Sequence, residues 1–263
     1  MDSLLWVIGL GLLLGIQHAT DPDHVVAVAT VVSQRPRFLS GALIGVLWGV
    51  GHTVTIVGVG GAIIFLNVTI TPAVGLSLEL AVAAMLVVLG CLRLVWILRG
   101  RDGVQLGHVH SPHHHATREA FHSHAHTHCG TTHAHTHLHP SRRLLAALQA
   151  VGVRQGLRSV AIGVVHGLAG SAAVALLVLS TIRNPYWAAA YLLVFGAGTV
   201  LGMMAITAAM TLPFAFTARR FVQLNRALTF GTGAVSLCFG IFLIYQIGFV
   251  DGLFTGQPVW TAQ

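Results

Sequence analysis

The chain has 263 residues, of which 55% are apolar and only 8% are charged, and its mean hydropathy is +0.79. Soluble domains carry about a quarter charged residues, so this composition excludes an ordinary soluble protein and indicates a membrane protein with several spans. The formal charge of +7 does not indicate nucleic-acid binding, because all 14 basic residues are arginine and nearly all lie in short connections between apolar segments. Three scattered cysteines are too few for a disulfide framework.

Six segments are long and apolar enough to cross the roughly 30 Å hydrocarbon core as helices of about 20 residues. They cover residues 3–33, 40–66, 74–98, 157–182, 186–214 and 228–249. The sequence therefore predicts an all-α integral membrane fold with six transmembrane helices. Its predicted parts are a first three-helix half (1–99), a His-rich loop with an interfacial segment (100–156), a second three-helix half (157–250) and a short external tail (251–263).

The arginines are unevenly distributed between the two sides of the predicted membrane. Those that follow the first, third and fifth spans are Arg35, Arg37, Arg99, Arg101, Arg118, Arg142, Arg143, Arg154, Arg158, Arg219, Arg220 and Arg226. The connections on the opposite side contain only Arg183. By the positive-inside rule, both termini are predicted outside and the long middle loop in the cytoplasm.

The middle loop differs in composition from the spans around it, since it contains 13 of the 17 histidines. They are His108, His110, His113, His114, His115, His122, His124, His126, His128, His133, His135, His137 and His139. Such a tract cannot bury an apolar core, so we predict a disordered segment that binds metal weakly as an accessory site. A solvated spacer that happens to be rich in histidine is the alternative.

The first span contains the stretch "GIQHATDPDHVVAV", which places two histidines, two aspartates and a proline within seven positions. An aspartate inside the bilayer costs roughly 2.5 to 3.5 kcal/mol unless it is compensated. Pro22 cannot donate to the carbonyl of His18, and its ring clashes with that carbonyl. With Asp21 as N-cap and Pro22 as the first residue of a new helix, the sequence predicts a first helix broken near Pro22, with free carbonyls facing the break.

Imidazole, carboxylate and carbonyl groups at one point of a membrane helix are typical of a cation site. The predicted metal ligands are His18, Asp23, His24, His52, Asp21 and His166. Asp21 is alternatively a helix cap, and His52 and His166 are alternatively hydrogen-bonded core histidines. Glu79 is a candidate carboxylate on the approach path, or simply reaches water. Nitrogen and oxygen donors without cysteine or methionine favour Ni²⁺ over Co²⁺, Fe²⁺ and Mn²⁺, while Zn²⁺ and Cu²⁺ stay open.

The two halves of the chain resemble each other faintly. "GIQHATDPDHVVAV" aligns with "GVVHGLAGSAAVAL", which pairs His18 with His166, and "WGVGHTV" aligns with "FGAGTVL", which pairs Trp48 with Phe195. Because each half has three predicted spans, the second would enter the membrane with opposite polarity. The sequence thus predicts a 3+3 inverted repeat of the kind found in many secondary transporters, with chance identity among 30 glycines as the alternative.

These motifs resemble those of the nickel/cobalt transporter family. "HATDPDH" is similar to its His-x4-Asp-His signature, here His18, Asp23 and His24, and "GHTVTIV" resembles its second, Gly-His-Ser/Thr motif. With "VVHGLAGSAAVALLVLST" and "VFGAGTVLGMM", the chain looks most like the six-span branch of nickel permeases or urease accessory transporters. The resemblance implies Ni²⁺ or Co²⁺ transport across the bacterial plasma membrane, with no catalytic cofactor. It also suggests urease or hydrogenase maturation metallochaperones as partners.

The chain departs from eight-helix family members, whose second half carries acidic motifs where this chain has His166, Gly167 and Ser171. Uptake is the expected direction, and efflux is the alternative because efflux proteins also carry His-rich loops. A metal-storing or metal-sensing membrane protein is the rival from another class. We expect no enzyme: "HSPHH" at 110–114 fits a di-iron box only within a tract where almost any histidine spacing occurs.

Overall fold

The computed structural model describes residues 2–33, 37–66, 71–99, 121–128, 131–138, 142–168, 182 and 184–260. These residues form seven α-helices, one two-stranded hairpin and a final π-helical turn. The elements are α1 (Asp2–His18), α2 (Pro22–Val32), α3 (Phe38–Leu66), α4 (Pro72–Leu98), β1 (Phe121–His128), β2 (Thr131–Leu138), α5 (Arg142–Leu168), α6 (Pro185–Arg220), α7 (Val222–Tyr245) and the π-turn (Gln246–Val250).

Four of the described helices are long and apolar enough to cross a membrane, namely α3, α4, α6 and α7 with its π-turn. The predicted break in the first span is confirmed, because α1 ends at His18 and α2 begins at Pro22. Much of the fourth predicted span lies outside the described residues, since α5 is described only as far as Leu168. The chain therefore has the helices of a membrane protein, while the count of six spans stays a prediction.

The turn that joins α1 to α2 is closed by its own backbone. The N–H of Thr20 donates to the Gln17 carbonyl at 2.8 Å, and the N–H of Asp21 donates to the His18 carbonyl at 3.2 Å. The Thr20 hydroxyl also donates to the Gln17 carbonyl, at 2.6 Å. For the carbonyls of Gln17 and His18 the expectation of free carbonyls at the break is therefore wrong, because a tighter turn replaces the partner that Pro22 cannot supply.

Part of the His-rich loop is paired as a hairpin, where the sequence analysis predicted disorder throughout. β1 and β2 run antiparallel, with His124 opposite His135. Alternation of histidine with small residues has a period of two, which is the side-chain period of a strand. Residues 100–120, 129–130 and 139–141 of the loop lie outside the described part of the chain, and so do six of the histidines predicted as accessory ligands.

The helix α5 is bent at Gly152, whose φ of 66° and ψ of 159° lie outside the helical region. A positive φ costs glycine little because it has no Cβ. The bend lies four residues before the predicted boundary at 156/157 between the interfacial segment and the fourth span.

The helices pack in pairs that meet at glycines. α3 contacts both α5 and α6, α1 lies on α6, and α4 lies on α7. A Cβ at Gly15 of α1 would overlap the carbonyl of Phe195 on α6, and a Cβ at Gly163 of α5 would overlap the carbonyl of Trp48 on α3. Close backbone approach at small residues is the usual mode of helix packing in membranes.

These close contacts repeat between the two halves. The Gly15 and Phe195 contact corresponds to the Gly163 and Trp48 contact under the sequence alignment given above. The α4 and α7 pair behaves in the same way. A Cβ at Gly90 would lie 2.7 Å from the Gly233 carbonyl oxygen, and one at Gly240 would lie 2.9 Å from the Ala83 carbonyl oxygen. Gly233 lies as many residues after Ala83 as Gly240 lies after Gly90. With these residues as equivalents in the two halves, each contact is the repeat copy of the other.

Candidate metal centre

Four helices bring four histidines to one buried place. His18 is the last residue of α1, His24 lies in the first turn of α2, His52 lies in the middle of α3, and His166 lies near the end of α5. His18 is 6% exposed and the other three are fully buried. The break at Pro22 makes this possible, because it redirects the chain so that both His18 and His24 face the packed interior.

One part of the cluster is a chain of contacts through His18. Its Nδ1 lies 2.9 Å from a carboxylate oxygen of Asp21, and its Nε2 lies 2.9 Å from Nε2 of His52. If His18 is neutral and donates from Nδ1 to Asp21, its Nε2 carries a lone pair and His52 donates to it. Asp21 occupies the N-cap position of α2 but makes no capping hydrogen bond, so its carboxylate instead orients His18.

The other part of the cluster is centred on Asp23, whose two oxygens hold two histidines. Oδ1 accepts from the backbone N–H of His24 at 2.9 Å and lies 3.1 Å from its Nδ1. Oδ2 lies 2.8 Å from Nε2 of His166. A carboxylate that accepts from an imidazole N–H fixes the ring orientation and leaves the second ring nitrogen as a donor of electrons to a metal.

Several polar atoms at the centre have no hydrogen-bond partner among the described residues. They are His24 Nε2, His52 Nδ1 and His166 Nδ1. Leaving a buried polar atom unpaired costs about 1 to 3 kcal/mol, so such atoms in a native site require an explanation. A bound cation supplies one, since neutral imidazole nitrogens are common metal ligands.

The donor atoms form two overlapping triplets that can each hold a metal ion. One triplet is His18, His24 and His52, and the other is Asp23, His24 and His166. Within each triplet the donor atoms lie within 4.8 Å of one another. An ion held at about 2.0 to 2.1 Å by each ligand in tetrahedral geometry has its donors roughly 3.4 Å apart, so the side chains would rotate inward around it. With neutral imidazoles, the two aspartates give the site a negative charge that a divalent cation would balance.

The structure thus brings together all six residues that the sequence analysis proposed as metal ligands. Glu79 has a different partner: the indole Nε1–H of Trp260, in the segment after α7, donates to its carboxylate at 2.8 Å. We did not predict this contact, and no local pattern in the sequence indicates it.

Two aromatic residues next to the cluster were also not predicted as part of the site. The ring of Phe195 lies 5.6 Å from that of His18, and the ring of Trp48 lies 5.6 Å from that of His166, measured between centroids. The alignment of the two halves contained a signal for them, because it pairs Trp48 with Phe195 in the same register that pairs His18 with His166.

Comparison with known proteins gives one relative that spans nearly the whole chain. The urease accessory protein UreH of Bacillus sp. (strain TB-90) is 35% identical over 252 residues, which covers 96% of this chain and 96% of that protein. No protein-family model matches the chain, and no solved structure matches it. Identity at this level over this length establishes common descent and a common fold. The chain belongs to the family of the urease accessory protein UreH.

Proposed function

We propose that the protein is a secondary transporter that carries Ni²⁺, or Co²⁺, across the bacterial plasma membrane through the His/Asp centre. The observation that carries this proposal is the buried cluster itself: four histidines and two aspartates meet between apolar helices. Three of the imidazole nitrogens have no partner within the described part of the chain. Burying polar groups of this kind in membrane helices costs free energy, and such groups usually mark an ion pathway.

We infer that the fold is an inverted repeat of three plus three spans. The glycine contacts support it, because those of α1 with α6 are repeated by those of α5 with α3, and the α4 and α7 contacts exchange with each other. Six spans with this symmetry would put the His/Asp centre at the interface of the two halves near the bilayer midplane, where such transporters bind their substrates.

The hydrogen bonds support the following ligand assignment. His18, His24 and His52 supply imidazole ligands, and Asp21 and Asp23 orient His18 and His24. Three nitrogen donors without a sulfur ligand suit Ni²⁺ and Co²⁺. Carboxylates behind metal-bound histidines commonly fix the ring orientation and raise ligand basicity.

We infer that water reaches this centre beside the turn between α1 and α2. Gln17 and Thr20 are exposed, and the Asp21 side chain is 35% exposed. Non-helical backbone at membrane depth is tolerated only where it is covered by protein or lines a water-filled cavity. An exposed polar turn at this position therefore supports an aqueous approach to the metal ligands.

Uptake is the direction that we propose, with the termini outside and the His-rich loop in the cytoplasm as the arginine bias predicts. The name of the relative connects it with urease, and delivery of nickel to a cytoplasmic enzyme requires import. In this arrangement the loop buffers arriving metal close to maturation metallochaperones. The same loop would serve an exporter by gathering metal, so efflux is the second candidate.

The test is a measurement of radiolabelled Ni²⁺ flux in right-side-out and inside-out membrane vesicles. We expect saturable accumulation in right-side-out vesicles that is lost in His18→Ala. The matched control is Ser236→Ala, a buried polar residue that donates to the Leu86 carbonyl away from the metal centre, which should keep wild-type flux. Accumulation in inside-out vesicles alone would establish export. Absence of flux in both orientations from inserted protein would contradict a transport function and leave storage or sensing.

A further inference from the structure

The two donor triplets of the metal centre define two different positions for an ion. No single set within 4.8 Å contains both His52 and His166 among the described residues, although each is in a triplet with His24. Their ring centroids lie 6.4 Å apart, whereas that of His24 lies 5.1 Å from His52 and 4.2 Å from His166. At this separation one ion with normal metal–nitrogen distances of about 2.0 to 2.1 Å could contact both His52 and His166 only from opposite sides, whereas the shorter distances to His24 suit an ion in either triplet.

We propose that the centre contains two successive cation stations that share His24, and this proposal rests on the transport function given above. The outer station is His18, His24 and His52, and the inner station is Asp23, His24 and His166. His24 suits the shared position because its Nδ1 is directed at Asp23 of the inner station, while its buried Nε2 has no hydrogen-bond partner in the ranges that the structure describes. An imidazole ring has two nitrogens, so the ring can hold an ion on either side.

The repeat of the fold explains why two stations exist. His18 lies against the Phe195 ring at 5.6 Å, and His166 lies against the Trp48 ring at the same distance. The alignment of the two halves pairs these residues with each other. The two histidine–aromatic pairs are therefore copies of one element, and an approximate two-fold axis between the halves exchanges them.

An axis in the membrane plane puts the two copies on opposite sides of the midplane. Phe195 comes ten residues after the start of α6 at Pro185, and Trp48 comes ten residues after the start of α3 at Phe38. In the proposed topology α6 begins outside and α3 begins in the cytoplasm. His18 with Phe195 thus lies towards the outside, and His166 with Trp48 lies towards the cytoplasm.

The symmetry is broken in the ligands, which gives the two stations different chemistry. The repeat equivalent of His52 is Thr199, whose buried hydroxyl donates to the Phe195 carbonyl at 3.0 Å and is in neither donor triplet. The outer station therefore offers three imidazoles, whereas the inner station offers two imidazoles and the carboxylate of Asp23. A directly bound carboxylate adds electrostatic attraction for a divalent ion that the outer triplet lacks.

The test compares His52→Gln with His166→Gln in the full-length protein, using Ni²⁺ as the probe. The concentration of half-saturation is measured for flux from the external face in right-side-out vesicles and from the cytoplasmic face in inside-out vesicles. We expect His52→Gln to raise the external value about tenfold or more and the cytoplasmic value less than threefold. His166→Gln should do the reverse. Thr199→Ala is the matched control and should change neither value.

Equal effects of both variants at both faces would overturn the two stations and favour one shared site, while leaving the transport function intact. If neither vesicle orientation of the wild-type protein moves Ni²⁺, the transport function itself fails.

Should either variant prove inactive, a second measurement replaces flux. Single cysteines at positions 52 and 166, with Cys91, Cys129 and Cys238 changed to serine, are then labelled from each side. Position 52 should react faster from outside and position 166 faster from the cytoplasm; equal rates would contradict the proposal.

Discussion

Replacing Asp23 with asparagine tests how the metal ligands are held. Asp23 accepts from the backbone and ring of His24 through one oxygen and from His166 through the other. An asparagine offers one acceptor oxygen and one NH₂ donor, so one imidazole N–H would face another donor. That ring has to lose its contact or change its tautomer, and the site loses one negative charge.

Two losses determine how far Asp23→Asn lowers the affinity for Ni²⁺. Loss of one hydrogen bond to a charged group costs about 1.5 to 3 kcal/mol. Loss of a carboxylate that orients a metal-bound histidine lowers metal affinity about 10- to 100-fold, which equals about 1.4 to 2.7 kcal/mol. Both routes predict a rise of one to two orders of magnitude in the half-saturating Ni²⁺ concentration of Asp23→Asn, so that uptake at low nickel disappears.

The assay is radiolabelled Ni²⁺ uptake over a concentration series in right-side-out vesicles, normalised to the inserted protein. Asp21→Asn is the internal comparison, because Asp21 makes a single contact with His18 and its side chain is 35% exposed. We expect only a few-fold change there, since the Oδ1 of an asparagine at this position can still accept the N–H of His18. A half-saturation value within twofold of wild type for Asp23→Asn would refute the role given to this carboxylate.

The remaining predictions concern topology, the loop and the packing. A cysteine at Arg118 should be protected from an impermeant thiol reagent in intact cells while one at Thr255 reacts; the reverse pattern would invert the proposed orientation. Deletion of residues 108–139 should change apparent affinity modestly and leave flux at saturating Ni²⁺ nearly intact, and complete loss at every concentration would make the loop part of the pathway. The metal affinity of this loop should fall as pH drops through about 6.5, because protonated imidazole cannot bind metal. Gly163→Val should reduce the yield of folded protein, since even its Cβ would overlap the Trp48 carbonyl. Gly58→Val is the control, because a Cβ there meets nothing within 4 Å; equal yields of the two variants would contradict the packing.

The position of the site could be predicted from sequence because the bilayer leaves few alternatives for its residues. Pro22 fixes where the first helix breaks, and His18 and His24 on either side of the break are buried polar groups that need partners inside the protein. His166 was found by aligning the two halves of the chain. Its contact with Asp23 was not predicted, because neither the sequence spacing nor the resemblance specifies that partner.

The roles within the site could not be predicted, because they depend on distances between separate helices. Asp21 looked like a helix cap in sequence but pairs with His18 instead, since a turn between two half-helices offers more than one nearby donor. Glu79 looked like a free carboxylate, and its partner Trp260 is 181 residues away in the chain. Contacts of such separation are decided by the packing of α4 against α7 and the segment that follows it, for which no local pattern exists.

The most direct test of the central claim is Ni²⁺ uptake by His24→Ala. His24 is the one residue common to both donor triplets, so its loss should disable every proposed metal position at once. We predict that radiolabelled Ni²⁺ uptake in right-side-out vesicles falls to the background of vesicles without the protein, at all nickel concentrations, while the amount of inserted protein stays at the wild-type level. Uptake at half the wild-type rate or more, from the same amount of inserted protein, would contradict the claim that the ion crosses the membrane through this centre.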